Sequence, residues 1–498
     1  MNTLVNARQQ TILFLIADTG AGHRSAANAI SNAIRIIAQK KQEEWLASHF
    51  VESASEAADR QSQLSVQSTR VAPGRAHASS SPVSYRIEIV DVFEEYSRFP
   101  LREAVKLYGP TIRYNPKLFG EVFHRSNRPR TVNAVENLAT PMILNGLLRL
   151  ITTVQPDIIV SIHPMLNHIT VRALEELGLG IPFLTVVTDL VSVHYAWFAP
   201  GVDGYIVPTE QARQLYLKRG LDPRRVHLLG MPIDPKFTLD VDSKEVLQQK
   251  FGLKPGLPVI LLVGGGDGAG GLQAAVRAIS QARLPVQLMV VTGRNKRLYT
   301  YLQRTRAGLR VPAKIFGFVQ NMPELMHASD VIITKAGPGT ICEALACHLP
   351  IILSGYVPGQ EEGNVEFVTR NEVGVLAMDH ATLIDALRRL LIPGSPELRR
   401  FLENATKLSH PMASFDIANF ILSKLSSLEH LNVWQTPAGE RRKRILTSRM
   451  RSAIRIRRLR HRISRDLSPR EILKNPVVRR ISRLRTQGLR RDPTRHLE

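Results

Sequence analysis

Short apolar runs alternate with helical patterns along the first half of the chain. The first run, residues 11–17, leads into a glycine-containing loop and then into an alanine-rich helical pattern at about 25–39. Compact apolar runs recur at 85–90, 157–162, 182–187 and 204–207. Strands that alternate with helices predict a parallel sheet covered on both faces. The opening strand, loop and helix are typical of nucleotide-binding α/β domains.

The second half of the chain repeats this order of elements. Pro232 and Pro235 interrupt the pattern and predict a linker. An apolar run at 258–263 then leads into a glycine-rich loop at 264–271, and a helix near 415–428 is expected to end the folded body. Further strands are predicted at 286–291, 313–316, 331–334 and 351–353. We therefore expect an α/β protein of two doubly wound domains.

Two segments depart from the α/β pattern. Residues 45–82 are rich in serine, alanine and glutamine and poor in large apolar residues, which predicts a disordered insertion. Residues 431–498 hold 21 of the 66 lysines and arginines but 5 of the 43 acidic residues, in a chain of net charge +23. We expect an N-terminal domain at 1–229, a C-terminal domain at 230–428 and a basic tail at 429–498.

The basic tail is expected to bind phosphate groups, either of anionic lipid or of nucleic acid. Ile445, Met450, Ile454 and Leu459 recur among the arginines at spacings of four or five, which favours an amphipathic helix on anionic lipid. A disordered tail that binds nucleic acid non-specifically is the alternative.

The sequence contains no apolar run of about 18 residues, so no transmembrane helix is predicted. Its two cysteines, Cys342 and Cys347, are spaced for neither a disulfide framework nor a zinc site. This usage indicates a reducing, cytoplasmic location.

The first candidate site is the turn between the first strand and the first helix. It reads Asp18-Thr19-Gly20-Ala21-Gly22-His23-Arg24-Ser25, and its small residues let a ligand approach the backbone closely. Histidine titrates near neutral pH, so His23 is a candidate base for an attacking hydroxyl. A tight turn whose histidine only caps the helix is the alternative.

The second candidate site, 335–343, follows a predicted strand and opens a helix. Backbone N–H groups at Gly339 and Thr340 are suited to phosphate oxygens. Glu343, on the first turn, is suited to the hydroxyls of a ribose, or it only complements the helix dipole.

The third candidate site, 358–364, follows the next predicted strand. It therefore lies at the same carboxyl edge of the sheet, where open α/β sheets bind ligands. Gln360, Glu361 and Asn364 supply donors and acceptors that suit a hexose. A surface turn is the alternative.

These motifs together resemble those of a known enzyme family. The segments ADTGAGHRSAANAI, SIHPMLN, HYAWF, GFVQNM, KAGPGTICEA and PGQEEGN resemble the monogalactosyldiacylglycerol synthases and the bacterial processive diacylglycerol glucosyltransferases. The resemblance extends from about 11 to 419. It implies a GT-B fold, in which two Rossmann-like domains face each other across a cleft, and an inverting transfer of hexose from a UDP-sugar to the 3-hydroxyl of diacylglycerol.

The resemblance also implies roles for individual residues. Glu343 is the expected ribose ligand, and Phe318 and Val319 are expected near the uracil. The N-terminal domain is expected to bind the acceptor lipid through Gly20, Gly22 and His163. Diphosphate or sugar contacts are expected from Gly264, Gly265, Gly266, Gly337, Gly339, Thr340, Gln360, Glu361 and Asn364.

The implied mechanism is a single in-line displacement. His23, or a nearby carboxylate such as Asp189, would deprotonate the acceptor hydroxyl. Backbone N–H groups and a helix N-terminus would hold the leaving diphosphate, so no cofactor and no strict metal requirement are expected. The resemblance leaves the choice between UDP-galactose and UDP-glucose open. Transfer to a polyprenyl-linked peptidoglycan precursor, and non-catalytic binding of a nucleotide-sugar or nucleic acid, are the alternative functions.

A lipid acceptor requires contact with a membrane. Residues 93–130 mix Phe, Tyr and Leu with Arg and Lys, which is typical of interfacial segments. Trp197 and Phe198 are further candidate lipid contacts. Packing of both segments inside the domain is the alternative. The expected location is peripheral, at the inner face of the cell membrane.

Overall fold

A computed structural model describes residues 9–18, 21–63, 83–107, 111, 115–264, 271–426 and 434. Within this part of the chain, two six-stranded parallel sheets are each covered by helices. The prediction of two doubly wound α/β domains is confirmed. No helix in the described ranges is long and apolar enough to cross a membrane.

The first sheet has the strand order β2-β1-β3-β4-β5-β6. Its strands are β1 Gln9–Ile16, β2 Ser84–Asp91, β3 Ile158–Ser161, β4 Phe183–Val186, β5 Gly204–Val207 and β6 Val226–Leu228. Strand β1 is buried along all but its first residue, which explains its nearly continuous apolar sequence. The strand order reverses between β1 and β3, and this switch point is where such sheets bind ligands.

The helices of the first domain pack on both faces of this sheet. They are α1 Ala21–Gln63, α2 Val92–Tyr96, α3 Leu101–Lys106, α4 Pro116–Ser126, α5 Pro129–Val154, α6 Pro164–Leu177 and α7 Glu210–Lys218, with 3-10 turns at Tyr195–Trp197 and Pro223–Arg225. Helix α1 extends to Gln63, so residues 45–63 of the predicted disordered insertion are helical instead. Residues 64–82 lie outside the described ranges.

The second sheet has the order β12-β11-β10-β7-β8-β9, and its switch point lies between β7 and β10. Its strands are β7 Val259–Val263, β8 Gln287–Val291, β9 Ala313–Phe316, β10 Val331–Lys335, β11 Ile351–Gly355 and β12 Gly374–Leu376. Its helices are α8 Lys244–Lys250, α9 Leu272–Ala282, α10 Lys296–Thr305, α11 Met322–His327, α12 Pro338–Ala346, α13 Glu362–Arg370, α14 His380–Leu391 and α15 Pro396–Leu408, with 3-10 turns at Pro235–Phe237 and Arg306–Gly308.

The last described helix, α16 Ala413–Ser426, returns to the first domain. Its buried residues, among them Ile417 and Ile421, belong to the apolar core around β1 and α1. Helix α16 thus packs on the first domain, although it lies within the C-terminal domain predicted at 230–428. The linker packs on this second crossing, because Ser414 donates a hydrogen bond to the Ile233 carbonyl. The predicted amphipathic helix of the basic tail lies outside the described ranges.

Candidate active site

Two histidines meet at the switch point of the first sheet. His23 lies on the first turn of α1, directly after β1, and His163 follows the neighbouring strand β3. Their ring centroids are 4.8 Å apart in an edge-on arrangement. The centroid of the Phe93 ring lies 5.5 Å from that of the His163 ring, also edge-on. The two sequence motifs that carry these histidines thus form one wall of the candidate active site.

Burial keeps the His23 imidazole neutral. It lowers the pKa of His23 to about 4, against the opposing effects of the Ala17 backbone and the carboxylates of Asp18 and Asp91. Burial likewise lowers the pKa of His163, and the proximity of His23 lowers it further. The His23 Nδ1 atom is buried and has no hydrogen-bond partner among the described residues. The neutral imidazole is in the protonation state that a general base requires.

Asp91 is a member of this wall that the sequence analysis missed. It ends β2, and its carboxylate accepts hydrogen bonds from the Asp18 N–H at 2.8 Å and from the Glu94 N–H at 3.0 Å. It therefore holds the turn that precedes His23 and caps α2. Its position in the sequence was the signal that could have identified it. A carboxylate at the end of a strand that pairs with β1 lies at the same carboxyl edge of the sheet as the turn before His23.

Asp189, the predicted alternative base, has other partners. Its carboxylate accepts a hydrogen bond of 2.7 Å from the Trp197 indole N–H. Burial raises the pKa of Asp189 to about 6, and the hydrogen bonds from Trp197 and the His194 backbone oppose this. The carboxylates that act on the pKa of His23 are those of Asp18 and Asp91. The structure thus brings Asp91, rather than Asp189, to the histidine.

The expected lipid contacts Trp197 and Phe198 point into the domain. Trp197 is 1% exposed. The Phe198 ring stacks at 4.1 Å on the Tyr216 ring, and the Arg219 guanidinium lies 3.9 Å from its centroid on top. This burial corrects the expectation for Trp197, whose ring is not accessible to a lipid. Phe198 is half-buried, and its role as a lipid contact stays a prediction.

The opposite wall starts with the loop between β10 and α12. Gly337 is the N-cap of α12 and Pro338 is its first residue, so no side chain caps this helix. The N–H groups of Gly339 and Thr340 therefore have no intrahelical acceptor. A Cβ atom placed on Gly339 would meet nothing within 4 Å, so this turn borders open space. The geometry suits an anionic ligand.

Glu343 lies one turn further along α12. Burial, and secondly the Asp234 carboxylate, raise the pKa of Glu343 to about 7. Asp234 in turn accepts a hydrogen bond of 3.0 Å from Asn32 on α1. Helices α1 and α12 contact each other, so the helices that carry His23 and Glu343 adjoin. Glu343 is half-buried and forms no salt bridge with any described residue, and a carboxylate with a raised pKa and no cation partner is typical of a binding site.

The third motif forms the seam between the domains. Gly363 packs against Val191 and Ser192, and Pro358 and Gly359 pack against α4, on its residues Gly120 and Phe123. Glu361 and Asn364, expected as sugar contacts, are buried and bond within the second domain. Gln360 is half-buried.

The remaining predicted donor residues are only partly described. Phe318 is 60% exposed, and the Arg294 guanidinium lies 5.3 Å from its ring centroid, which forms an accessible platform for a flat base. Val319 packs on the core. Gly264 follows β7 at the switch point, and Gly22 is exposed at the start of α1. Gly20, Gly265 and Gly266 lie outside the described ranges. Among the described residues, no cluster of three or more His, Cys, Asp or Glu side chains is arranged for a metal.

Known protein families match both domains of the chain. The family model described as monogalactosyldiacylglycerol (MGDG) synthase matches residues 59–233, and that of the glycosyltransferase family 28 C-terminal domain matches 259–397. The chain is 35% identical over 425 residues to a probable monogalactosyldiacylglycerol synthase 2, chloroplastic, of Oryza sativa subsp. japonica, covering 83% of this chain and 81% of that protein. It is 34% identical over 428 residues to monogalactosyldiacylglycerol synthase 3, chloroplastic, of Arabidopsis thaliana, covering 83% and 81%.

A solved structure shares the fold. The UDP-GlcNAc 2-epimerase of Neisseria meningitidis, bound to UDP-GlcNAc, superimposes with a TM-score of 0.50 at 13% identity, over 83% of this chain and all of that one. The predicted GT-B architecture is confirmed. The expected location at the inner face of the cell membrane is wrong, because the similar synthases are chloroplastic proteins.

The raised pKa of Glu343 predicts a stability difference that depends on pH. Between about pH 4.5 and 7 the folded protein keeps a proton that the unfolded chain has released, so stability falls as the pH rises through this window. We expect Glu343→Gln to raise the free energy of unfolding by about 1–3 kcal/mol at pH 8 and to leave it unchanged at pH 4.5.

Urea unfolding at the two pH values measures this difference. Glu245→Gln, at an exposed position on α8, is the matched control and is expected to change little at either pH. A Glu343→Gln effect of the same size at pH 4.5 and pH 8 would contradict the assignment.

Proposed function

This chain belongs to the monogalactosyldiacylglycerol synthase family, and from that premise we propose that it transfers galactose from UDP-galactose to the 3-hydroxyl of 1,2-diacylglycerol with inversion. The observation that carries the proposal is the contact between α1 and α12, because these two helices begin with a neutral histidine and with an uncapped turn, respectively. Galactose is preferred over glucose because the similar synthases are named for it.

The second domain binds the donor in this proposal. The N–H groups of Gly339 and Thr340 hold the diphosphate, Glu343 accepts hydrogen bonds from the ribose hydroxyls, and uracil lies on Phe318. The support is the uncapped first turn of α12, the raised pKa of the half-buried Glu343 carboxyl and the exposed Phe318 ring. Gln360, which is half-buried in the third motif, is proposed to contact the hexose, whereas Glu361 and Asn364 are buried and bond within the domain.

The first domain binds the acceptor and supplies the base. The His23 imidazole accepts the proton of the diacylglycerol hydroxyl while the hydroxyl oxygen attacks the anomeric carbon of the sugar. The bond from that carbon to the diphosphate breaks, UDP leaves with the electron pair, and an α-linked sugar becomes β-linked. At neutral pH the imidazole is unprotonated, which is the state that a general base requires, because burial lowers its pKa to about 4.

The membrane contact is proposed for the exposed side of residues 93–130. Leu118 and Val122 lie one turn apart on α4 and are 49% and 54% exposed, and Phe99 and Leu107 are exposed before them. Exposed lysines and arginines, such as Arg102 and Lys117, accompany them. Apolar side chains among basic ones suit an anionic bilayer surface. Since α4 also packs on the third motif, a bound membrane lies near the donor.

The activity is tested with purified protein and vesicles that contain diacylglycerol. We expect UDP release and a monogalactosyl product with UDP-galactose, a slower reaction with UDP-glucose, and no loss of activity in EDTA. Mass spectrometry of the lipid and a UDP assay measure these outcomes. Faster glucose transfer would refute the galactose assignment, EDTA inactivation would refute a metal-independent reaction, and a peptidoglycan precursor as the better acceptor would refute diacylglycerol.

His23→Ala is expected to lower kcat by about 10²–10⁴-fold, because it removes the base. UDP affinity is expected to change by less than about twofold, since the donor lies in the other domain. Steady-state kinetics and calorimetry with UDP separate the two quantities. His380→Ala, at an exposed site on α14, is the control. Equal losses of kcat and UDP affinity would argue against a catalytic His23.

Replacing Leu118 and Val122 together by serine is expected to weaken vesicle binding by about tenfold or more, because two apolar side chains lose their burial in the bilayer. Sedimentation with vesicles of mixed neutral and anionic phospholipid measures the effect. Ile392→Ser, at an exposed apolar position in the second domain, is the matched control. Unchanged sedimentation of the double variant would refute a docking role for α4.

A further inference from the structure

Lys335 is a cation at the switch point of the donor-domain sheet. It is the last residue of β10, and the register with β11 shifts between Thr334 and Lys335, so that Lys335 pairs with Gly355. The preceding residues Ile332 to Thr334 are buried, whereas 30% of the Lys335 side chain is exposed. The irregularity therefore directs an ammonium group to the carboxyl edge of the sheet, where the ligand is expected.

The ammonium group is held in place by Glu361. The Lys335 Nζ atom pairs with the Glu361 Oε1 atom, and Oε2 accepts a hydrogen bond of 2.9 Å from the Val357 N–H. Glu361 is 4% exposed, so both oxygens are committed inside the protein. Asn364 forms a second connection between the motifs, because its side-chain amide donates a hydrogen bond of 2.9 Å to the Ala336 carbonyl. These bonds join the second and third motifs into one rigid unit.

The position of Gly337 shows where the ammonium lies relative to the diphosphate site. A Cβ atom added to Gly337 would be 3.2 Å from Lys335 Nζ and 3.9 Å from Glu361 Oε1. Gly337 is also the N-cap of α12, so the ammonium lies beside the turn that presents the N–H groups of Gly339 and Thr340. An ammonium has three N–H donors, and one pairing with Glu361 leaves others for a ligand.

We propose that Lys335 is a catalytic residue that binds the β-phosphate of the UDP-sugar and stabilises the charge on departing UDP, and that Glu361 is the residue that positions its ammonium. This inference rests on the proposed function, because it takes the donor to be a nucleoside diphosphate. The leaving oxygen gains negative charge as the glycosidic bond breaks, and a fixed cation beside it lowers the barrier without reorganising. Glu361 thus acts through Lys335 rather than by binding sugar.

The test compares the affinities of UDP, UMP and uridine by calorimetry for the full-length protein. Lys335→Met is expected to weaken UDP binding by about tenfold to a hundredfold and uridine binding by less than about twofold, since only the phosphates lose a charged partner. UMP, which lacks the β-phosphate, is expected to follow uridine. Lys335→Arg is expected to restore much of the UDP affinity.

Lys244→Met is the matched control. Lys244 also pairs with a carboxylate, that of Asp330 at 2.6 Å, with similar exposure, but Asp330 precedes β10 at the opposite end of the strand. We expect this variant to bind all three ligands as the unsubstituted protein does. Retained uridine binding shows in each case that the donor domain is folded.

Glu361→Gln provides a second, independent variant. It is expected to reduce the preference for UDP over uridine by about threefold to tenfold, and to add nothing to Lys335→Met in the double variant, because both act through one ammonium. Additive losses in the double variant would overturn the positioning role of Glu361. Equal weakening of UDP, UMP and uridine by Lys335→Met would overturn the proposal for Lys335. An unsubstituted protein that prefers UDP no more than uridine would instead refute the UDP-sugar donor itself.

Discussion

The contact between α1 and α12 is the constraint on which the proposed active site depends. Each helix starts at the carboxyl edge of a parallel sheet, close to the point where the strand order reverses. Each sheet alone offers only half of the proposed site, with the candidate base on one and the candidate anion-binding turn on the other. The linker and the second crossing into α16 maintain the contact, because Asp234 bonds to α1 and Ser414 bonds to the linker.

Burial shifts the pKa values of one residue on each wall, His23 and Glu343, in opposite directions. It lowers the pKa of His23 and raises that of Glu343, and in both cases it disfavours the charged form. The histidine is thereby neutral at physiological pH, whereas ionising the carboxyl has a free-energy cost, which the proposed hydrogen bonds from ribose hydroxyls would offset. Lys335 and Glu361 differ from both, because they satisfy each other before any ligand arrives. The donor site thus combines a preorganised cation with an unsatisfied acceptor.

Helix α4 connects the acceptor side to the donor side. One face carries Gly120 and Phe123, which pack on Pro358 and Gly359, and the other exposes Leu118 and Val122. A single short helix would therefore connect the proposed bilayer surface to the third motif. This arrangement explains how a chain without a membrane-spanning helix among its described residues would bring a lipid hydroxyl to a nucleotide-sugar.

The alternation of apolar runs and helices determined the two sheets, and the three glycine-containing motifs determined where ligands would approach, because both are local properties that neighbouring residues encode. Tertiary structure decided the rest. Asp91 and Asp189 are both carboxylates near strand ends, and only the strand order shows which one reaches His23. Trp197 and Glu361 resemble ligand contacts in sequence, yet packing turns both inward. The return of α16 to the first domain is likewise invisible in its amphipathic pattern, since an apolar face specifies burial but not the partner that covers it.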